Sequence, residues 1–108
     1  MANQFTSYVA KNGGTSASTL VTVAAATQTT VIGITVANTS ASAITCDVYF
    51  TRSAVDYYLI KGATVQPGTA FVPVGGDQKL VLTTGDALKV VTNTASSADV
   101  IASVLNIT

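Results

Sequence analysis

The side chains most able to do chemistry in this sequence are five aspartates, one cysteine and four tyrosines, and the chain contains no histidine. A serine hydrolase triad needs histidine, and a nucleophilic cysteine needs a basic partner of that kind. Paired carboxylates could serve a glycosidase. However, Asp77 and Asp86 follow turn glycines and Asp99 ends a polar loop, where aspartate commonly caps backbone N–H groups. We therefore expect structural roles for these residues and no enzymatic activity.

The remaining classes of chemical site lack their usual motifs. One cysteine, no histidine and no Asp-x-Asp-x-Asp loop leave no recognisable zinc or calcium site. The glycine pairs at 13–14 and 75–76 are not followed by the residues of a phosphate-binding loop. The sequence therefore predicts no catalytic, cofactor-binding or metal-binding residue. Cys46 lies at an apolar position of an alternating run and is expected to be a small buried hydrophobe.

Charge is unusually sparse in this chain. Only 9% of the 108 residues are charged, against about 25% in ordinary soluble proteins, and five basic groups balance five acidic ones. The basic residues are scattered, so there is no electrostatic footprint of a nucleic-acid binder. No apolar run is long enough to span a bilayer, and the first eight residues lack the pattern of a signal peptide. A surface of threonine, serine, asparagine and alanine, with zero net charge, favours association with neighbouring subunits.

Hydrophobic residues recur with a period of two, which is typical of β-strands. Ile44, Cys46, Val48 and Phe50 alternate with polar residues or tyrosine, and similar alternation recurs along the chain. Turn signals such as Gln66-Pro67-Gly68 separate the runs. The sequence predicts an all-β fold, a single antiparallel β-sandwich or jelly-roll-like domain over residues 1–108, with an arm or loop at about 11–19. The predicted strands are short and number eight or nine, near 4–10, 19–24, 28–37, 43–52, 56–61, 69–74, 78–83, 87–92 and 99–107.

Two segments are candidates for an interaction surface. The hairpin from Asp47 to Lys61 has Phe50 and Tyr58 pointing inward on the simple alternation, which leaves Tyr49 and Tyr57 outward. The last strand is apolar on both faces, so it either lies between two packed layers or meets another subunit. We therefore take as interface candidates the two outward tyrosines and one face of the last strand, namely Tyr49, Tyr57, Val100, Ala102 and Val104.

Several runs of the sequence resemble small virion structural proteins of tailed bacteriophages. These runs lie at 29–38, 55–61, 75–81, 84–90 and 93–107, and the resemblance extends from about Thr19 onward. It rests on strand and turn patterns, and it implies a β-sandwich component of a virion. The leading expectation is a capsid decoration, or cement, protein made in the host cytoplasm. It would be carried on the capsid surface, where it would bind the major capsid protein and copies of itself, with a trimer favoured.

Two other functions fit the same composition. A neck, tail or fibre-attachment module of the virion would show the same low charge and β-strands. A carbohydrate-binding module would use the aromatic rings of Tyr57 and Tyr58 with nearby aspartates. The absence of tryptophan makes the sugar-binding function the weaker of the two.

Overall fold

A computed structural model describes residues 3–74 and 79–108 of the chain. The all-β prediction is confirmed, since the described residues form nine strands and no helix. Consequently, no helix in these ranges could cross a membrane. The strands are β1 (Asn3–Gly13), β2 (Ser18–Thr22), β3 (Gln28–Asn38), β4 (Ile44–Arg52), β5 (Val55–Val65), β6 (Ala70–Val74), β7 (Leu80–Leu82), β8 (Ala87–Thr92) and β9 (Ala98–Ile107).

The strands form two antiparallel sheets. The five-stranded sheet has the order β1-β9-β3-β6, with β7 also paired to β3, and the four-stranded sheet has the order β2-β8-β4-β5. Because β9 is hydrogen-bonded to β1 on one side and β3 on the other, it is an interior strand of its sheet. The alternation of branched apolar residues with threonine and serine gives each strand one face that can be buried.

The core lies between the two sheets, where their inner faces meet. Ile34 and Val36 of β3 are fully buried, as are Val100 and Val104 of β9. From the four-stranded sheet, the buried side chains include Val21, Ile44, Cys46, Val48, Leu88 and Val90. Branched aliphatic residues therefore fill the space between the sheets, as in other sandwiches.

Two turns show why particular residues occur at their tips. Gly68 has a φ of 72°, and the Thr69 N–H donates to the Gln66 carbonyl, as the predicted Gln66-Pro67-Gly68 turn requires. The β4–β5 hairpin has a two-residue turn at Ser53 and Ala54, whose φ angles of 52° and 62° both lie in the left-handed region. This is the backbone geometry that matches the twist of paired strands. The predicted turn at 75–77 lies outside the described residues.

The segment at 11–19 is divided between two strands. Residues 11–13 continue β1, and β2 begins at Ser18. The carbonyls of Gly13 and Gly14 accept hydrogen bonds from the Ser97 and Thr92 N–H groups, each at 2.9 Å. A Cβ on Gly14 would lie 2.9 Å from the Ser96 nitrogen, so a side chain there would collide with backbone. Glycine at this position thus allows close packing against the loop before β9.

Candidate interaction surface

The outer face of the five-stranded sheet exposes large apolar side chains in cross-strand rows. In one row, Phe5 pairs with Leu105, Leu105 with Thr30, and Thr30 with Val81. Phe5 is 76% exposed and Val81 is 54% exposed. Adjacent strands are about 4.8 Å apart, so this row extends about 14 Å across four strands.

A second row runs parallel to the first. Val9 pairs with Ile101, and Ile101 pairs with Thr35. Val9 is 71% exposed, and Ile101 and Val72 are about half exposed. Small residues, Ser7 and Ser103, pair between the two rows. We call this surface the apolar face, and its large side chains are Phe5, Val9, Val72, Val81, Ile101 and Leu105.

The apolar face corrects the assignment of the last strand. Val100, Ala102 and Val104 were expected at an interface, but each is at most 1% exposed because it packs in the core. The outward side chains of β9 are instead the odd-numbered ones, with Ile101 exposed and Leu105 half-buried. Both faces of this strand are apolar, and alternation alone does not distinguish the face toward the other sheet.

Charged residues are concentrated on the other sheet. Within the described residues, the strands of the five-stranded sheet carry a single pair of charges, Lys11 and Asp99, joined by a 2.9 Å contact at one end. The strands of the four-stranded sheet carry Asp47, Arg52, Asp56, Lys61 and Lys89. The two outer surfaces therefore differ in how strongly they favour contact with water.

Of the three tyrosines in the hairpin, Tyr49 and Tyr58 lie on the outer face of the four-stranded sheet, and Tyr57 lies on the other face. Tyr49 pairs with Tyr58, whereas Phe50 pairs with Tyr57, because the register shifts by one residue near Leu59. The prediction that Tyr58 points inward with Phe50 is therefore wrong. Tyr57 shares the core-facing side of Phe50, although it is 49% exposed near the hairpin end.

The outward tyrosine cluster is compact, and Tyr49 is its buried member, whereas Tyr58 is 44% exposed. The rings of Tyr49 and Tyr58 have centroids 4.9 Å apart, and the Lys61 ammonium lies 4.4 Å from the Tyr58 ring centroid. Tyr49 is only 8% exposed, and burial is the main reason why its pKa is raised. Because Tyr57 lies on the opposite face from Tyr58, these two rings do not form the shared platform that a sugar would need.

Arg52 and Asp86 form the best-defined ion pair in the described residues. The Arg52 guanidinium donates three hydrogen bonds to Asp86, from Nε to Oδ1 at 3.0 Å and to Oδ2 at 3.1 Å, and from Nη2 to Oδ2 at 2.6 Å. The Asp86 side chain is 2% exposed and also accepts the Thr83 N–H. These bonds, first those from Arg52, lower the pKa of Asp86. The arrangement fixes the β4–β5 hairpin to the turn before β8.

The other aspartates hold nearby backbone and side chains. Asp99 accepts the Asn12 N–H and the Lys11 ammonium, and both bonds lower its pKa. Asp47 accepts the Gly62 N–H at 2.7 Å and lies 3.8 Å from the Lys61 ammonium, on the neighbouring strand β5. Asp77 lies outside the described residues. Asp47 and Asp99 thus each hold a backbone N–H group and a lysine ammonium in place.

Cys46 is buried, and the cleft between β1 and β2 is lined by hydrogen-bonded polar side chains. Burial raises the pKa of the Cys46 thiol, which disfavours the nucleophilic thiolate. Within residues 3–74 and 79–108, no three potential metal ligands among histidine, cysteine, aspartate and glutamate lie together. A shallow cleft between β1 and β2 is crossed by a hydrogen-bonded chain from Thr29 through Asn106 to Tyr8. In this network the Thr29 hydroxyl donates to Asn106 Oδ1, and the Asn106 amide donates to the Tyr8 hydroxyl.

Comparison with known proteins gives no family assignment. No protein-family model matches the chain, and no curated protein sequence matches it. A chain in a structure of infectious bursal disease virus, Gt strain, is similar with a TM-score of 0.48 and 13% sequence identity. The similarity covers 98% of this chain and 30% of that one, so this chain spans about a third of that neighbour's length. Similarity at this level carries no argument about function.

Sequence reasoning missed most of the apolar face. Phe5 and Val9 lie four residues apart in β1, on the same side of the strand. Their spacing fits the alternation rule, but Tyr8 and Ala10 between and beyond them are also apolar. The low number of charges was a partial signal, because Lys11 and Asp99 are the only charged residues in the five observed strands. It does not identify the surface by itself, since β2 of the other sheet is also uncharged.

Proposed function

We propose that this protein is a structural component of a virion, a decoration (cement) protein of a tailed-phage head that binds between capsid subunits. The observation that carries the proposal is the apolar face, which lies opposite a sheet whose outer surface is charged. Monomers seldom leave a broad apolar patch in water unless it binds a partner. The resemblance of the sequence to small phage virion proteins supplies the kind of partner, the major capsid protein.

The proposed mechanism is stabilisation by mass action. A protein that binds only the assembled shell lowers the free energy of that shell and so opposes its disassembly. A specific contact needs to bury about 1,200–2,000 Å² in total. In this proposal the apolar face packs against the shell, while the charged surface of the four-stranded sheet remains in water. Copies of the protein also contact each other, in trimers about local three-fold axes of the lattice.

Add-back to particles that lack the protein tests the cement function. We expect the wild-type chain to bind such particles and to raise the temperature at which they release DNA. Val81→Lys places a charge on the apolar face and should lower the affinity at least about tenfold, since burying an unpaired charge is costly. The matched control is Thr64→Lys, an exposed position on the other sheet. Equal binding by both variants, or particles no more stable with the protein than without it, would contradict the proposal.

The position on the particle separates the cement function from a neck or tail role. Electron cryo-microscopy of the complete particle should show copies repeated across the head lattice, with the five-stranded sheet toward the shell. Density confined to one vertex or to the tail would assign the protein to the neck or fibre class and would rule out the cement mechanism.

A further inference from the structure

The free edges of the two sheets differ in how well they are protected from pairing with another strand. Natural edge strands are usually protected by short length, proline, charge or bulges. β5 carries Asp56 and Lys61 and has a register shift, and Gly62 within it has a positive φ of 72°. β6 contains Pro73 and has five residues, β7 has three, and β2 has five with a register shift. Each of these edges has at least one protective feature.

β1 has none of these features along most of its length. It has 11 residues and contains no proline, and its first charged residue is Lys11. Its register with β9 runs without a shift from Asn3 to Ala10. Its other edge pairs with no strand of the described chain. An extended, uncharged and regular free edge is the form that accepts an added β-strand.

We propose that β1 pairs antiparallel with β1 of a second copy, about a two-fold axis at Ser7. This pairing joins two five-stranded sheets into one continuous sheet. A two-fold contact of this kind is self-complementary, since each copy offers the same strand to the other. It does not depend on the shell-binding function proposed above.

The residues of β1 favour a second copy as the occupant. With Ser7 on the axis, Phe5 lies opposite Val9 of the partner subunit, and Val9 lies opposite the partner's Phe5. These apolar cross-strand pairs are stabilising, and they place the two most exposed large hydrophobic side chains of the described structure side by side. Lys11 lies opposite the partner's Asn3, so no like charges meet.

The same register extends the apolar face across the junction. Phe5 already pairs with Leu105, and Val9 with Ile101. The row that ends at Phe5 therefore continues into the partner's Val9 and the partner's Ile101, and the second row continues in the same way. In a head lattice, two-fold contacts of this kind would link neighbouring trimers rather than form them.

Cysteine cross-linking tests the register directly. In Ser7→Cys the two thiols meet on the axis, with Cα atoms about 4.5–5.5 Å apart, which suits a disulfide. The matched control is Ser103→Cys, because Ser103 pairs with Ser7 and lies on the same face one strand farther from the axis. The Cα atoms of the two copies at that control position would be about 14 Å apart, too far for a disulfide. The natural Cys46 is 1% exposed and should not interfere.

We expect a disulfide-linked dimer from Ser7→Cys under mild oxidation and none from Ser103→Cys. Equal cross-linking of both variants would indicate that copies pack face to face, and absence of cross-linking in Ser7→Cys would also overturn the proposal. Circular dichroism of each variant establishes that the fold is retained.

Introducing a charge of either sign at Ser7, on the axis, provides a second, independent test. Ser7→Lys and Ser7→Asp each place two like charges opposite one another, so each variant alone should lose the two-fold contact. An equimolar mixture should regain it, whereas Ser103→Lys should associate like the wild type. Sedimentation velocity should show even-numbered species for the wild type, a dimer or six copies where trimers also form. A wild type that sediments only as monomer or trimer, or a mixture that shows no recovery, would overturn the proposal.

Discussion

At the scale of single residues, Asp86 shows how a sparse set of charges is used for stability. Its carboxylate is buried, so its negative charge must be balanced by hydrogen bonds inside the protein. The bonds from Arg52 and the Thr83 N–H supply this balance and lower the pKa of Asp86. Because these bonds connect the β4–β5 hairpin to the turn before β8, one carboxylate holds two separate parts of the four-stranded sheet.

Asp86→Asn should change how stability depends on pH. The unfolded chain has an aspartate pKa of about 3.9, and the folded value is lower, so the unfolded state binds more protons between the two values. Stability contributed by Asp86 is therefore present above about pH 4 and is lost as pH falls through the folded pKa. We expect Asp86→Asn to cost about 1–3 kcal/mol at pH 7, with the loss shrinking in acid.

Urea unfolding at several pH values from neutral to acid would measure this difference. Some pH dependence should remain in the variant, because the pKa of Asp99 is also lowered. The control is Asp56→Asn, which removes one carboxylate from the exposed hairpin. A loss of stability in Asp86→Asn that stays constant with pH would show that the carboxylate charge is not what matters at this position.

At the scale of elements, β9 illustrates how a strand with two apolar faces is oriented. It lies between β1 and β3, so its backbone hydrogen bonds are satisfied on both sides. Its even-numbered residues Val100, Ala102 and Val104 enter the core, and its odd-numbered residues face outward. A branched aliphatic side chain therefore contributes to the core at position 100 and to the exposed surface at position 101.

Threonine substitutions at adjacent positions of β9 test this orientation. Val100→Thr places a hydroxyl in the core and should lower the free energy of unfolding by about 1–3 kcal/mol. Ile101→Thr changes an exposed side chain and should stay within about 0.5 kcal/mol of the wild type, measured on the monomer. Thermal and urea unfolding would compare them. Equal losses at both positions would contradict the assignment of Ile101 to the exposed face of β9.

At the scale of the whole molecule, the distribution of charge separates two surfaces. Within the described residues, the strands of the sheet with the apolar rows carry one ion pair, Lys11–Asp99, and Lys79 directly precedes β7. The other sheet holds lysines and aspartates around the Tyr49–Tyr58 pair. Zero net charge removes the general repulsion between copies. The molecule is thus suited to associate through one sheet and to remain hydrated through the other.

This separation predicts a weak response of association to salt. Contacts made through the strands of the apolar face, which carry only Lys11 and Asp99 within the described residues, should change in affinity by less than about threefold between about 0.05 and 0.5 M sodium chloride, because there is little charge to screen. Sulfate salts should strengthen association, since they favour burial of apolar surface. Sedimentation at each salt concentration measures both effects. A steep loss of affinity in sodium chloride would instead show that the charged sheet carries the contact.

The sequence by itself determined the class of fold and nearly all of its strands. Period-two alternation and turn residues such as Pro67 and Gly68 are local signals. They predicted eight or nine strands, and the nine strands of the described residues lie within a few residues of the predicted ranges. The low charge likewise indicated an associating surface without locating it. These properties depend on neighbouring residues in the chain, so they can be inferred before any long-range contact is known.

Only the tertiary structure decided which faces meet. Val100 and Ile101 are equally apolar, and the position of β9 against the second sheet determines that the first is buried and the second exposed. Likewise, the register shift near Leu59 places Tyr57 and Tyr58 on the faces opposite to those predicted. Sheet order and register arise from pairing between residues far apart in sequence, and a shift of one residue reverses every side chain beyond it.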